Sequence, residues 1–267
     1  MSFVVLDKPR PNIALITLNR PERMNAMAFD VMIPLREALE RVSLDNDVRV
    51  VVLTGEGRGF CSGADLEDAG IVPNIDGLTV TSIARRALDL LEDVIDALRR
   101  MHQPVIGAIN GAAIGGGFCL AVATDIRIAS DDAYFRAAGI NNGLTASELG
   151  ISYLLPRAIG ASRAFDIMLS GRDVDAAEAE RIGLVSRVVP GDALLDACYT
   201  LAEQIIGYSR VGVEITKRML WSSLSAGSLH SHMDHEGIAQ LYVRLTTQNF
   251  EEAIRARKEK RTPEYRD

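Results

Sequence analysis

Cysteine is scarce: Cys61, Cys119 and Cys198 are the only three in 267 residues. They are odd in number, isolated and without CxxC spacing, which excludes a disulfide framework and argues against a thiolate metal site. An excess of positive charge is missing too. Lys and Arg number 29 against 36 Asp and Glu, a net charge of −7 and a pI near 5.2. Phosphate-backbone binding depends on clustered Lys and Arg, so nucleic acid is not an expected partner. A long apolar run is absent as well. The longest uncharged stretch, Met101 to Thr124, contains His102, Gln103, Pro104, Asn110 and five glycines, a poor bilayer span. The first residues, MSFVVLDKPRP, reach Asp7 and two prolines before any long apolar run, so no secretory signal is read there. A soluble cytoplasmic protein without membrane association is the expectation.

What is present is an ordinary globular composition, 48% hydrophobic and 24% charged, with 22 glycines and nine prolines; neither disorder nor a fibrous repeat fits. Val4 to Leu6 and Ile13 to Leu18 flank the turn-rich DKPRPN and predict a hairpin. A helical pattern runs from about Phe29 to Val42, with Pro34 placed in its first turn if the regular helix begins near Asp30. Val48 to Thr54, broken only by Arg49, and Pro104 to Ile109 are apolar runs, the mark of strands covered on both faces. Ile83 to Met101 carries apolar residues at helical spacing. Phe118 to Thr124 reads as a short apolar helix, with strands at Ile126 to Ala129 and Val185 to Val189. Strands alternating with helices imply an α/β protein with a mostly parallel sheet. Beyond residue 190 the pattern is helical, giving an α/β core at 1–190 and a C-terminal helical assembly region at 191–267.

Two glycine-rich turns follow buried strands and precede helices: Gly59 to Asp65 (GFCSGAD) and Gly111 to Gly117 (GAAIGGG). At such junctions backbone N–H groups are free and the helix dipole is positive, which suits an anion or oxyanion. Close packing is the alternative for either turn alone. Neither turn matches a phosphate loop or the GxGxxG fingerprint. His230, His232 and His235 lack metal-ligand spacing such as HExxH and read as a solvated cluster.

Taken together, NRPERMNAM at 19–27, GRGFCSGADL at 57–66, INGAAIGGGFCLAVATDIRIAS at 109–130 and LPRAIGASRAFDIMLSGRDVDAAEAERIGLVSRVV at 155–189 resemble the enoyl-CoA hydratase/isomerase, or crotonase, superfamily. The resemblance implies a spiral of ββα units with a C-terminal helical trimerisation region, assembled as a homotrimer or dimer of trimers. It also implies an acyl-CoA thioester substrate whose oxygen is held by the amides of Ala64 and Gly116. Coenzyme A, as part of the substrate, would lie along Arg23, Met24, Ser62, Gly63 and Ala64, with Lys260 in a basic tail able to reach its phosphates. That tail has interleaved glutamates and reads equally as a solvated helix. No separate cofactor and no metal is implied.

One departure bears on the reaction. The two glutamates of the standard hydratase fall here on Cys119 and Gly139. Water addition needs a group to activate water and a group to manage the proton beside the thioester, so hydration by that pair is not expected. Cys119, between Phe118 and Leu120, reads as a buried thiol. Glu148, in TASELG eight residues before Pro156, resembles the single catalytic glutamate of peroxisomal-type enoyl-CoA isomerases. It could instead cap a helix beginning there, with Ser147 nearby. Asp65 and Asp125 read as loop braces. Double-bond isomerisation with Glu148 as the sole acid and base is therefore favoured, the alternatives being hydration by an unorthodox arrangement and a non-catalytic acyl-CoA-binding protein.

Overall fold

The computed structural model describes residues 2–266. The expected hairpin forms: β1 (Val4–Arg10) and β2 (Ile13–Leu18) pair antiparallel through a turn at Asn12, whose φ of 63° is a conformation asparagine tolerates well. Helix α1 (Phe29–Ser43) carries Pro34 inside it and buries Val31, Met32, Leu35, Leu39 and Val42. Then the chain repeats one motif three times. β3 (Val50–Gly55) and β4 (Gly59–Cys61) lead to α2 (Val80–Arg100). β5 (Val105–Ile109) and β6 (Ala112–Ile114) lead to α3 (Gly116–Ala123). β7 (Ile126–Ser130) and β8 (Tyr134–Arg136) lead to α4 (Ile151–Ile159). After these come α5 (Ala161–Ser170), β9 (Val174–Asp175), α6 (Ala176–Arg181), β10 (Arg187–Val189) and four helices, α7 (Leu194–Ile206), α8 (Arg210–Ser223), α9 (Leu229–Thr246) and α10 (Asn249–Glu259).

The first strand of each motif joins a six-stranded sheet ordered β1-β2-β3-β5-β7-β10, and the second joins a four-stranded sheet ordered β4-β6-β8-β9. The chain thus winds as a spiral of ββα turns, as the resemblance implied. Apart from the β1–β2 hairpin and the β8–β9 pair, neighbours run parallel. β3 and β5 are buried along their whole length, which is why they read as unbroken apolar runs. One sheet face packs on α1, α2 and α3, in a core containing Leu35, Leu98, Phe118 and Phe135. The other is covered by Leu194, Cys198, Tyr199 and Ala202 of α7. Helices past residue 190 therefore divide into one that covers the sheet and three that follow it.

Some element ends differ from expectation for local reasons. α2 starts at Val80, because the Thr79 side chain accepts from the Ser82 N–H at 3.3 Å and caps the helix earlier. Leu184 and Val185 lie before the last strand, since both their N–H groups donate to the Ala179 carbonyl and close α6. Glu148 lies outside α4. Gly150, left-handed at φ 82°, is the N-cap, no side chain caps the helix, and Leu149 is also left-handed at φ 45°. The capping roles considered for Glu148 and Ser147 are thereby removed.

One carboxylate ties α8 to the sheet. Asp125 accepts from the Val105 N–H at 2.7 Å and from Trp221 Nε1 at 2.5 Å, and pairs with Lys217 Nζ at 2.8 Å. Nζ also donates to the carbonyls of Leu98 and Gln103. A mainly apolar groove of about 840 Å³ runs beside this pair among α7, α8, α9 and α10.

Candidate active site

The two glycine-rich turns meet. A Cβ on Gly63 would stand 3.4 Å from the Gly116 nitrogen, and one on Gly115 would stand 3.9 Å from the Gly63 Cα. Gly63 and Gly115 have φ of 83° and 52°, a region that L side chains enter at a cost. Gly116 opens α3, so its N–H has no acceptor within the helix. Ala64 forms a parallel bridge with Met27: the Met27 N–H donates to the Gly63 carbonyl at 2.7 Å, and the Asp65 N–H to the Met27 carbonyl at 3.1 Å. In such a bridge the N–H of the middle residue points to the opposite side. Among the described residues, neither the Ala64 nor the Gly116 amide donates to a backbone acceptor outside regular elements. The amides expected to hold a thioester oxygen thus lie on two turns in contact, and among the described residues both donors are uncommitted.

Glu148 stands beside them. Its Oε1 is 3.3 Å from where a Cβ on Gly115 would be. No described residue hydrogen-bonds or ion-pairs with its carboxylate, and partial burial raises its pKa above the ordinary glutamate value by desolvation. Its main chain is anchored: the carbonyl accepts from the Ile151 N–H at 2.9 Å and from Cys119 Sγ at 3.5 Å. A half-buried, unpaired carboxylate against a double N–H site is the arrangement proton transfer next to a carbonyl requires.

Neither position where the hydratase glutamates would fall carries a carboxylate, and at Gly139 there is no room for one without a shift of the loop. Cys119 is fully buried in α3, and desolvation pushes its thiol well above the ordinary range, so it stays protonated. Cys61 is likewise buried and pushed up to about 12. Gly139 has an ordinary helical φ of −52°; its constraint is space. A Cβ there would overlap the Thr145 carbonyl oxygen and stand 2.9 Å from the carbonyl carbon.

The residues expected along coenzyme A occupy one segment. Met24 and Asn25 are left-handed, at φ 53° and 54°, and the Met24 carbonyl accepts from the Ser62 N–H at 3.0 Å. Arg23 reaches Asp65 at 2.7 Å and also pairs with Glu67. Asp65 further accepts from the N–H groups of Glu67 and Asp68, both at 3.0 Å, so it braces the loop as expected. These contacts hold its carboxyl well below the usual range, with the Arg23 hydrogen bond the largest cause. Lys260 ends α10 in a left-handed conformation, φ 55°, and is exposed. No described contact brings it to the two turns.

Sequence reasoning missed Asn25 and Met27. The buried Asn25 side chain accepts from the Arg20 N–H at 2.8 Å and donates to the carbonyls of Glu56 at 3.0 Å and Gly59 at 2.8 Å, clamping segment 19–27 to the β4 turn. An asparagine after Arg-Met, followed by small and apolar residues, carried no periodic signal. Among the histidines, His230 and His235 are exposed while His232 is buried and faces Glu236. Among the described residues no cluster of three or more His, Cys, Asp or Glu side chains is set to hold a metal, and no described helix is long and apolar enough to cross a membrane.

The fold is of the crotonase kind, and residues 9–267 match the family described as enoyl-CoA hydratase/isomerase. The chain belongs to that family, whose members act on acyl-CoA thioesters. It is 67% identical over 267 residues to the probable enoyl-CoA hydratase EchA12 of Mycobacterium tuberculosis, covering 100% of this chain and 94% of that protein. The crystal structure of a probable enoyl-CoA hydratase/isomerase from Mycobacterium abscessus is 68% identical, covers 100% of this chain and 99% of that one, and superposes with a TM-score of 0.96. The structure of a monofunctional enoyl-CoA isomerase from Mycobacterium smegmatis is 61% identical over 87% of this chain and 99% of that one, with a TM-score of 0.75.

Proposed function

We propose that this enzyme moves a double bond in an enoyl-CoA, with Glu148 as the single acid and base. The amides of Ala64 and Gly116 hold the thioester oxygen. Glu148 takes a proton from the carbon next to the thioester of a 3-enoyl-CoA, the electron pair spreads into a dienolate, and Glu148 returns the proton at the fourth carbon. The double bond then lies between the second and third carbons, and no water is consumed. One carboxylate suffices, because the group that is protonated in the first half is the acid needed in the second.

The observation that carries this reading is the unpaired Glu148 carboxylate against the Gly115–Gly116 turn, with no second carboxylate possible at Gly139 without moving the loop. The M. smegmatis isomerase, at 61% identity, supports it; the names of other relatives favour hydration. Coenzyme A lies along Arg23, Met24 and the Ser62–Gly63–Ala64 loop in this reading, with Lys260 as a phosphate contact. The working form is a homotrimer or a dimer of trimers. The exposed apolar side chains of Leu220, Leu229, Ile238, Leu241, Leu245 and Phe250 on α8 to α10 support assembly through these helices.

The test is incubation of wild type and Glu148→Gln with 3-enoyl-CoA and 2-enoyl-CoA in deuterated water, read by mass spectrometry. Formation of 2-enoyl-CoA without gain of water, lost in the variant by about 10²- to 10⁴-fold, is expected. Formation of hydroxyacyl-CoA at a comparable rate would overturn the isomerase assignment.

A further inference from the structure

The two amides that would receive the thioester oxygen come from different turns of the spiral, Ala64 after β4 and Gly116 after β6, and something must hold them in mutual register. Met27, between the Asn25 clamp and α1, touches both. Its main chain fixes Ala64 through the hydrogen bonds to Gly63 and from Asp65, at 2.7 and 3.1 Å. Its side chain lies on Gly116. A Cβ added to Gly116 would overlap Met27 Sδ and stand 3.2 Å from Cε, with Leu149 Cδ1 at 3.6 Å on the same residue. Met27 is 7% exposed, so its thioether is packed in place.

Resting on the isomerase reading above, we infer that Met27 is the positioning residue of the oxyanion site: its main chain aims the Ala64 amide and its thioether seats the Gly116 amide. The space a Cβ on Gly116 would take is thus filled by the Met27 thioether, so a side chain there would displace the group that seats the amide. Shortening Met27 leaves the backbone bonds to Gly63 and Asp65 intact and removes the seat under Gly116 alone. One donor is loosened while the other stays fixed. Complete loss of one such donor costs about 10²- to 10³-fold in turnover, so a loosened one is expected to cost about ten- to a hundredfold.

Met27→Ala and Met27→Leu test this, with kcat and KM on 3-enoyl-CoA, the melting temperature, and the enolate absorbance band of bound acetoacetyl-CoA as readouts. For Met27→Ala, kcat falls about ten- to a hundredfold, KM stays within about twofold and the enolate band weakens. Met27→Leu, which refills most of the space, recovers most of both. Unchanged kcat, or a rise in KM alone, overturns the inference. So does a parallel loss of turnover and thermal stability in both variants, which marks a purely structural residue. If wild type binds acetoacetyl-CoA as its enolate but isomerises nothing, the isomerase reading fails while the band in Met27→Ala still decides this one. If wild type shows no enolate band, the site does not stabilise an enolate and Met27 has nothing to position.

Discussion

Placing glutamates at positions 119 and 139 is the change that would create the missing hydratase pair, and the geometry around Gly139 predicts that it will not create a hydratase. A Cβ at 139 stands 2.9 Å from the Thr145 carbonyl carbon, where ordinary contact begins near 3.4 Å, and overlaps the oxygen. Residues 145 and 146 must therefore recede by at least about 0.5 Å, and the nearer oxygen by more, toward an ångström. Glu148 follows three residues later, and a misplacement of about 1 Å at a catalytic group costs on the order of 10²-fold. Gly139→Ala alone should then lower isomerisation about 10²-fold with KM for the thioester little changed. Cys119→Glu/Gly139→Glu should lose isomerisation at least as far and gain no measurable hydration, because a carboxylate at 119 would be fully buried beside Glu148 and held in its neutral form. Coupled mass-spectrometric assays of 3-enoyl-CoA and 2-enoyl-CoA consumption, run alongside thermal melts, measure both reactions. A double variant that hydrates 2-enoyl-CoA while Gly139→Ala retains wild-type isomerisation would refute the reasoning.

Because burial raises the Glu148 pKa, kcat should rise with pH along a limb displaced above the ordinary glutamate range. The same shift is destabilising once the group ionises: the unfolded chain gives up this proton more readily, so stability falls as pH rises through the folded pKa. Glu148→Gln should match wild type in melting temperature at low pH and exceed it at neutral pH, measured by calorimetry. Past the C-terminal end of α3, Asp125→Asn leaves Lys217 buried without its counter-charge and should cost about 3–5 kcal/mol, a fall in melting temperature of roughly 10 °C. Burial already lowers the Lys217 pKa, so the unfolded state binds the extra proton and the variant should regain stability as pH rises toward the alkaline range. Lys260→Gly separates binding from folding: it relieves a left-handed lysine, a relief of about 1 kcal/mol, so a several-fold rise in KM for CoA thioesters without a lower melting temperature would mark a phosphate contact, and an unchanged KM would remove Lys260 from the site.

How legible the sequence was depends on the scale of each feature. β3 and β5 were readable because strands buried on both faces need unbroken apolar runs, and α2 because a helix between core and solvent must alternate. The two glycine-rich turns were readable as free-amide sites because strand, glycines and helix are contiguous in the chain. The division of short strands β4, β6 and β8 into a second sheet was not, since three residues carry no period and their partners lie about twenty to fifty residues away. Glu148 is singled out by the resemblance its spacing from Pro156 bears to a family glutamate, and the helix start expected beside it lies further on. Left-handed Leu149 and Gly150 delay the helix by three residues, and a leucine gives no warning of that conformation. The Lys217–Asp125 pair was invisible for the same reason that Met27 was: each is defined by a partner far along the chain.

The three ββα motifs give the last feature a wider meaning. Ala64 follows the second strand of the first motif, Gly116 that of the next, and Glu148 that of the third, so the residues proposed as donor, donor and base fall between strand and helix in three successive turns. In the proposed mechanism, enolate stabilisation and proton handling therefore sit in separate modules. A lineage with this architecture can change how protons reach and leave the substrate by altering the third junction, leaving untouched the two amides proposed to hold the thioester oxygen. Of the two positions where the standard glutamates would fall, Gly139 lies in that third segment and Cys119 in the second, on α3, so a thiol and a glycine stand in two neighbouring modules while the glutamate stands in the third.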